Sequence, residues 1–407
     1  MKKLFSILLS ILLVSTLAFS VTACKKTAEE SVDLNEVPVT ITIKTEKEDD
    51  ETTVTLTEIS LSAAAKSFID DKKIDELKKL FDSHKTTDAK HFTFADGEVT
   101  FTIPSNVTHI GANAVSNLSF INHIVVGENV VEIAEGAFPG LSGLKSITLP
   151  FVGGKVGAVD SAKLFAYIFG TIGGDGITSI TQTFNEVSTN TASLCVPTSL
   201  TKVTITGDVK TTTKTRKYYN NNDNKPVPVA DDYADATIEV NGETYTVYSV
   251  TTKDYSESAV QPYAFHGVTT IEEVVFGGEI TEIPEYTFYG CAGIKKLDFT
   301  GSTITSIGKY AYANCTSLRV LTLGSVVTLA EGAFNGCTSL GKNTETTVNT
   351  LAITGVTLGK DAFAGCSSLT EEKLDVDFSA LSEDEQKALE DAFGEEFFET
   401  EDEEENA

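Results

Sequence analysis

The sequence predicts a solenoid, a β-strand-lined arc of repeats of about 23 residues, with a small α+β N-terminal cap and a short C-terminal helix. One aromatic or apolar position, called the anchor, recurs with uninterrupted spacings of 23, 23, 24 and 22 residues. A unit of that length cannot bury its apolar face alone, so neighbouring units must stack. The anchors are Val115, Phe138, Phe265, Phe288, Tyr312, Phe334 and Phe363.

Each repeat also carries three apolar residues spaced as L-x-x-L-x-L. The last two are two residues apart, which suits a strand with one face turned inward. Such strands stacked in register make a curved leucine-rich repeat solenoid, predicted over residues 102–374. The six copies are Ile121/Ile124/Val126, Leu144/Ile147/Leu149, Leu200/Val203/Ile205, Ile271/Val274/Phe276, Ile294/Leu297/Phe299 and Leu318/Leu321/Leu323.

The repeat phrase IGKYAYANCTSLRVLTL, which begins at Ile307, resembles the repeats of the BspA-like leucine-rich repeat proteins of bacterial surfaces. The resemblance spans about residues 100–374. It implies a surface lipoprotein of adhesin type that binds host matrix proteins or other cells. The family pattern contains no catalytic residues that could be carried over to this chain.

Residues 1–23 have the composition of an export signal. Lys2 and Lys3 precede an apolar run that ends in small residues. Val21-Thr22-Ala23-Cys24 resembles the bacterial lipobox, which implies cleavage before Cys24 and acylation of that cysteine. We therefore expect a lipid anchor at Cys24, a tether over residues 24–36, and a chain that is secreted, bound to a bacterial membrane and exposed on the cell surface.

Charge and composition exclude several classes of function. The chain has 59 acidic against 31 basic residues and a net charge of −28, which opposes nucleic-acid binding because phosphates must be neutralised by basic groups. Five His, no Trp and one Met leave few bearers for metal or His-based chemistry. No H-E-x-x-H, G-x-S-x-G or G-x-x-x-x-G-K motif occurs. We therefore predict no enzyme activity, no cofactor, no metal site and no small-molecule substrate.

The flanking segments differ from the repeats. Residues 37–101 predict an α+β cap: a hairpin about an acidic turn at Glu48–Glu51, one helix from Ser62 to His84, and a second hairpin turning at Asp96-Gly97. Residues 375–407 predict a short helix, with a capping box of Ser382 and Glu385, followed by an acidic tail. The ends of a solenoid core need such polar covers.

Two segments interrupt the period, at about residues 151–183 and 208–255. In the first, Phe165 and Phe169 are expected to pack. The second is locally basic and predicts a projecting hairpin around Asn241-Gly242. It is interpreted either as a ligand-contacting arm or as a solvated loop; calcium binding by its Asn-rich run is disfavoured because the Gly and terminal Glu of an EF-hand loop are absent. The arm interpretation selects Lys214, Arg216, Lys217, Tyr218 and Tyr219.

Four cysteines each follow an anchor by three residues, at a position that is Leu or Val in other repeats. We interpret them as a buried structural ladder, since free Cys packs as a small hydrophobe, and regard disulfides or a metal site as alternatives. These cysteines are Cys291, Cys315, Cys337 and Cys366.

The remaining residues of each strand should face outward on the concave side of the arc. This surface suits a protein or glycan ligand, such as host extracellular matrix, better than a metabolite. The alternatives are a structural or assembly module of the bacterial envelope and, less favoured, an extracellular solute-capture lipoprotein. The outward residues are His123, Val125, Ser146, Thr148, Glu273, Val275, Lys296, Asp298, Val320 and Thr322.

Overall fold

A computed structural model of the chain describes most of the predicted solenoid and its flanking segments. Cys24, the predicted tether and the acidic tail beyond residue 394 lie outside the described residues. The described residues are 19–22, 37–48, 51–70, 72–85, 87–186, 189–207, 212–222, 225–230, 236–277, 280–342, 351–376 and 382–394.

The N-terminal segment begins with an antiparallel hairpin of β2 (Val39–Glu48) and β3 (Glu51–Leu61), in which Glu48 pairs with Glu51 across the predicted acidic turn. Alternate residues of β2 are buried, as expected for a strand with one face on the core. A short strand β1 (Phe19–Thr22), which falls within the predicted export signal, runs antiparallel to β2.

Two helices follow where the sequence predicted one: α1 (Ala63–Asp70) and α2 (Ile74–Asp82). The single-helix prediction is wrong because Lys72 adopts a left-handed conformation with φ 57° and its N–H bonds back to the carbonyl of Ile69, which ends α1. Apolar spacing could not show this break, since both helices keep the same period. Phe81 of α2 is buried edge-to-face against Phe92, with ring centroids 5.2 Å apart.

The buried carboxylate of Asp88, which follows α2, bonds to the β2-β3 hairpin and makes the stability of the fold depend on pH. Asp88 accepts a hydrogen bond from the Ile41 N–H (2.7 Å), but its Oδ1 is buried without a partner. Burial raises the pKa of Asp88, so its contribution to stability is greatest at low pH and is lost as pH rises through the folded-state pKa.

We therefore expect the free energy of unfolding of the wild type, relative to Asp88→Asn, to fall between about pH 3 and about pH 7. The fall should be about 1.4 kcal/mol for each unit by which the pKa is raised. Chemical denaturation of both proteins across this range measures it. A difference that is constant or grows with pH would contradict the assignment.

The repeats contain two kinds of strand. The longer ones, called motif strands, come from the L-x-x-L-x-L motif, and short strands of two residues follow most of them. The hairpin predicted at Asp96-Gly97 leads into them, and both turn residues have positive φ. The strands up to residue 150 are β4 (Phe92–Ala95), β5 (Glu98–Thr102), β6 (His109–Ile110), β7 (His123–Val125), β8 (Glu132–Ile133) and β9 (Ser146–Leu149).

The first interruption is a modified repeat. Its two 3-10 turns, Asp160–Lys163 and Phe165–Phe169, bring Phe165 into the interior, where its ring stacks on Phe265 at 4.7 Å. Phe165 thus takes the place of an anchor, and the excess residues form a hairpin before the motif resumes. The strands are β10 (Ile177–Thr183), β11 (Thr191–Pro197) and β12 (Lys202–Ile205).

The second interruption is a four-stranded antiparallel sheet in the order β14-β13-β16-β15, called the insertion sheet, where the sequence predicted one hairpin. Asn241 and Gly242 have φ of 55° and 81°, as a type I′ turn requires. Tyr255, which the prediction included in the insertion, is buried against the repeats. The strands are β13 (Thr212–Asn220), β14 (Pro226–Val229), β15 (Thr237–Val240) and β16 (Glu243–Asp254).

The repeats then continue with alternating longer and short strands. The motif strands pair in parallel within a six-stranded sheet, in the order β17-β12-β9-β7-β5-β4, where only the edge hairpin β4-β5 is antiparallel, and within a two-stranded sheet, β19-β21. The short strands β6 and β8 extend the N-terminal hairpin by parallel pairing along β3, and the later short strands pair in the order β18-β20-β22-β23. The later strands are β17 (Glu273–Phe276), β18 (Glu282–Ile283), β19 (Lys296–Asp298), β20 (Ser306–Ile307), β21 (Val320–Thr322), β22 (Thr328–Leu329) and β23 (Thr357–Leu358).

The anchors form a continuous stack of rings through the later repeats, which one further aromatic residue closes. Phe393 of α3 (Glu383–Phe393) lies 5.0 Å from Phe363 at the end of that stack, and the predicted capping box of Ser382 and Glu385 begins the helix. The successive centroid distances for Phe265, Phe288, Tyr312, Phe334 and Phe363 are 4.9, 4.9, 5.5 and 5.6 Å.

No helix among the described residues is long and apolar enough to cross a membrane.

Candidate ligand-binding surfaces

The six-stranded sheet turns every second side chain away from the core, and the parallel register aligns these side chains in two rows. Its outer face contains six of the ten residues that the sequence selected. The first row is Thr100, His123, Ser146, Lys202 and Glu273, and the second row is Thr102, Val125, Thr148, Thr204 and Val275.

The first row is polar, and two pairs within it are bonded, His123 with Ser146 and Lys202 with Glu273. His123 contacts Ser146 Oγ through Nδ1 (2.7 Å) and Glu98 Oε2 through Nε2 (2.5 Å), and Lys145 contacts the same carboxylate at 2.5 Å. Bonds to Lys145 and then to His123 lower the pKa of Glu98. Because each charge in this group has an opposite neighbour, the row offers hydrogen-bonding groups without a strong field of one sign.

The chain of Ser146, His123 and Glu98 has the order of an activated nucleophile, a base and an orienting carboxylate. Acyl transfer also needs donors that stabilise an oxyanion. The backbone N–H of Ser146 already donates to the carbonyl of Asn122 (3.1 Å) within the sheet. These three side chains are therefore interpreted as a cross-strand polar link.

The second row is uncharged and β-branched throughout. Val125, Thr148, Thr204 and Val275 are half-buried and follow one another at the interstrand spacing of about 4.8 Å. The side chains between the rows, such as Ile147 and Val203, are fully buried. The result is an uncharged, β-branched strip beside a polar row, which can lie against an extended polypeptide or sugar surface.

The other four selected residues, Lys296, Asp298, Val320 and Thr322, lie on the two-stranded sheet, with the Lys296 ammonium 3.2 Å from the Asp298 carboxylate. Among the described residues, no ladder joins this sheet to the six-stranded one, so the predicted face is divided. The sequence selection also omitted Lys202, Thr204, Thr100 and Thr102. The same alternation, applied to β5 and β12, would have found them.

The insertion residues do not form one patch. Along β13, Arg216 and Tyr218 point to one side and Lys217 and Tyr219 to the other, because successive side chains of a strand alternate. The ring of Tyr218 lies 6.1 Å from that of Tyr248, and Tyr219 lies 5.1 Å from Tyr245. The backbone of Lys214 pairs with Thr252, and its side chain lies outside the described residues.

The four ladder cysteines are buried, and each thiol donates a hydrogen bond to the backbone carbonyl of the anchor in the preceding repeat. Leu and Val, which occupy this position in other repeats, cannot form that bond. Desolvation raises the pKa of Cys291 and of Cys315. The bonds are Cys291 to Phe265 (3.1 Å), Cys315 to Phe288 (3.3 Å), Cys337 to Tyr312 (3.2 Å) and Cys366 to Phe334 (3.3 Å).

Thiol reactivity follows from this geometry. We expect Cys291, Cys315, Cys337 and Cys366 to react with a thiol-specific disulfide reagent at least about a hundredfold more slowly in the native protein than in denaturant, since a buried thiol with a raised pKa presents little thiolate. Mass spectrometry of the labelled peptides over time measures this. Native labelling at the rate of a free thiol would show that the rungs open readily.

The described residues were also compared with the ligand sets that metal ions require. No group of three or more His, Cys, Asp or Glu side chains that could hold an ion occurs within the described ranges.

The repeats match a family model described as "BspA type Leucine rich repeat region", in six copies over residues 55–158 and 244–370. The chain belongs to this family. The gap between the two matched regions, residues 159–243, overlaps both interruptions of this BspA-type protein. No curated protein matches its sequence.

Solved structures of low identity were also found. A leucine-rich repeat protein from Bacteroides ovatus ATCC 8483 is 20% identical with a TM-score of 0.26, covering 67% of this chain and 59% of that one. A leucine rich cell surface protein from Faecalibacterium prausnitzii A2-165 is 17% identical with a TM-score of 0.24, covering 72% and 63%. The BspA-type chain thus spans less than two thirds of the length of either protein.

Proposed function

We propose that this BspA-type protein is a non-catalytic surface lipoprotein that binds a macromolecule, protein or glycan, of a host matrix or another cell. The observation that carries the proposal is the two-row outer face of the six-stranded sheet. Its β-branched strip and adjoining polar row suit a broad ligand surface better than a small molecule. The lipid at Cys24 would hold this face at the membrane surface.

Binding of the Lys25–Ala407 chain to immobilised extracellular-matrix proteins and to host cells tests the proposal. Val125→Glu places a charge in the β-branched strip and should abolish saturable binding. Val131→Glu is the matched control, because Val131 is 55% exposed and lies outside the motif strands. Equal binding by both variants would reject the six-stranded face as the site.

A second variant tests the insertion sheet. Replacing residues 212–252 with a short turn removes that sheet but keeps the buried Tyr255 and the ion pair of Lys253 with Glu282. Loss of binding in this variant alone would make the insertion sheet the ligand-contacting arm.

The second candidate is a structural or assembly module of the envelope. One side of the insertion sheet groups Tyr219, Tyr245, Val247 and Ile238, all half-buried, and this side favours contact with another protein. If the wild type binds neither matrix proteins nor cells, crosslinking on the bacterium should recover other envelope proteins through this sheet.

A further inference from the structure

Among the described residues, the motif strands part between β17 and β19, which belong to two consecutive repeats. β17 and β19 belong to neighbouring turns of the chain, but no ladder joins them in the described residues. On the anchor side the same two turns stay together, since the Phe265 N–H donates to the carbonyl of Thr287 (2.8 Å) and the rings of Phe265 and Phe288 stack. The separation is therefore local and leaves a cleft between the two strands.

The sequence is also irregular beside this cleft. The repeat from Phe288 to Tyr312 is the one with 24 residues, and five residue steps separate Phe299 from Ile304, where the next repeat takes three from Leu323 to Val326. The extra length lies in a segment that lines the cleft, which has a volume of about 670 Å³. This is within the range of ligand sites.

Both strands turn unpaired backbone groups toward the cleft. Glu273 donates its N–H to Thr201, and the Gly277 N–H donates to Ile205, so β17 uses alternate residues to bond β12. The residues between them, Val274 and Phe276, direct their backbone groups to the cleft. By the same alternation, the bond from the Val320 N–H to the carbonyl of Lys295 directs the backbone of Lys296 and Asp298 there.

Tyr312, one of the residues that line the cleft, carries a buried hydroxyl. Tyr312 is fully buried and stacks between two Phe anchors, and its hydroxyl has no hydrogen-bond partner. The other aromatic anchors are Phe, which would leave no such group unsatisfied. A buried hydroxyl without a partner lowers stability, and an occupant that displaces the neighbouring side chains and bonds this hydroxyl would remove that cost.

We propose that the cleft binds an extended peptide segment of a partner protein, which adds as a strand to the edges of β17 and β19 while a polar group reaches the Tyr312 hydroxyl. The inference rests on the proposed binding function and names the partner's chemistry. A peptide fits best because charged groups around the cleft already have partners, as in Lys202 with Glu273 (2.7 Å) and Lys295 with Glu272 (2.6 Å). The repeating donors and acceptors of the edges are what a peptide backbone complements.

A matched pair of variants at Lys296 tests strand addition. Lys296→Pro removes one N–H that faces the cleft, at the first residue of an edge strand, where proline is tolerated. Lys296→Ala removes the same side chain and keeps that N–H. The probe is a phage-displayed library of random linear peptides selected on the purified full-length protein. Because only the proline removes the N–H, we expect selected peptides to bind the Pro variant at least about tenfold more weakly than the Ala variant.

Hydrogen exchange on the wild type tests the same contact without a substitution that could disturb folding. A selected peptide should slow exchange of the Val274 and Phe276 amides. Failure of the library to yield any binder, binders that treat the Pro variant as wild type, or unchanged exchange at these amides would each overturn the proposal. A glycan array that binds wild type but not Lys296→Ala would overturn it in favour of a sugar ligand.

Tyr312→Phe separates occupancy from a packing role. We expect the free protein to unfold at a higher temperature, because an unpaired hydroxyl is removed, while selected peptides bind several-fold more weakly. No change in either quantity would reject the hydroxyl as a contact. Matrix binding through the Val125 strip is measured separately, so failure of the cleft proposal is distinguishable from failure of the proposed function.

Discussion

Replacing Val203 by aspartate is expected to unfold the protein, whereas the same change at the next residue, Thr204, leaves it folded. Val203 is fully buried in register between Ile147 and Val274, and a carboxylate there would lose its hydration without gaining a partner. The free energy of unfolding should fall by about 4 kcal/mol or more at Val203 and by less than about 1 kcal/mol at Thr204. Chemical denaturation followed by circular dichroism measures both.

This pair tests the alternation that defines the outer face. If both variants unfold, Thr204 contacts the interior and the second row is not a surface strip. If both remain stable, β12 does not pair with its neighbours in the register described.

The second large effect is expected at the centre of the ring stack. Phe288 is fully buried and lies 4.9 Å from both Phe265 and Tyr312, and edge-on to Phe276 at 6.0 Å. Phe288→Ala should lower the free energy of unfolding by about 3–5 kcal/mol, through lost burial and the cavity that remains. Thermal and chemical unfolding of the purified variant measure this loss.

Tyr248→Ala is the control for that variant, because it removes a stacked ring from the insertion sheet and should cost less than about 1 kcal/mol. A similar loss in both proteins would indicate that the insertion sheet is as important to stability as the anchors. A loss below about 1 kcal/mol at Phe288 would contradict a close-packed stack.

The sequence was sufficient to predict the repeat and its anchors, because a packing position that recurs every turn leaves a periodic trace. It was not sufficient where a residue packs like an anchor but lies outside the regular repeat spacing. Phe165 acts as an anchor out of period, held there by 3-10 turns that have no strong sequence signal. The break at Lys72 was missed because it depends on one backbone conformation.

For the candidate site too, the residues in a periodic pattern were predictable and the others were not. Outward residues such as His123 and Thr148 were selected by alternation, which strands impose. The opposite orientation of Tyr218 and Tyr219 follows from alternation too, but a composition argument grouped them as one basic and aromatic patch. The cleft beside Tyr312 was missed because its signal, one extra residue in a 24-residue repeat and one Tyr among Phe anchors, becomes meaningful only when the strands are placed.

The pairing of β12 with β17 has a consequence for the order of folding. These strands are neighbours in the sheet, although Ile205 and its partner Phe276 are separated by 71 positions, whereas Lys296 and its partner Val320 are separated by 24. Closing the longer loop costs about 1 kcal/mol more in chain entropy. We therefore expect the repeats on either side of the insertion to form as two local blocks whose junction closes last in refolding and opens first in native-state exchange.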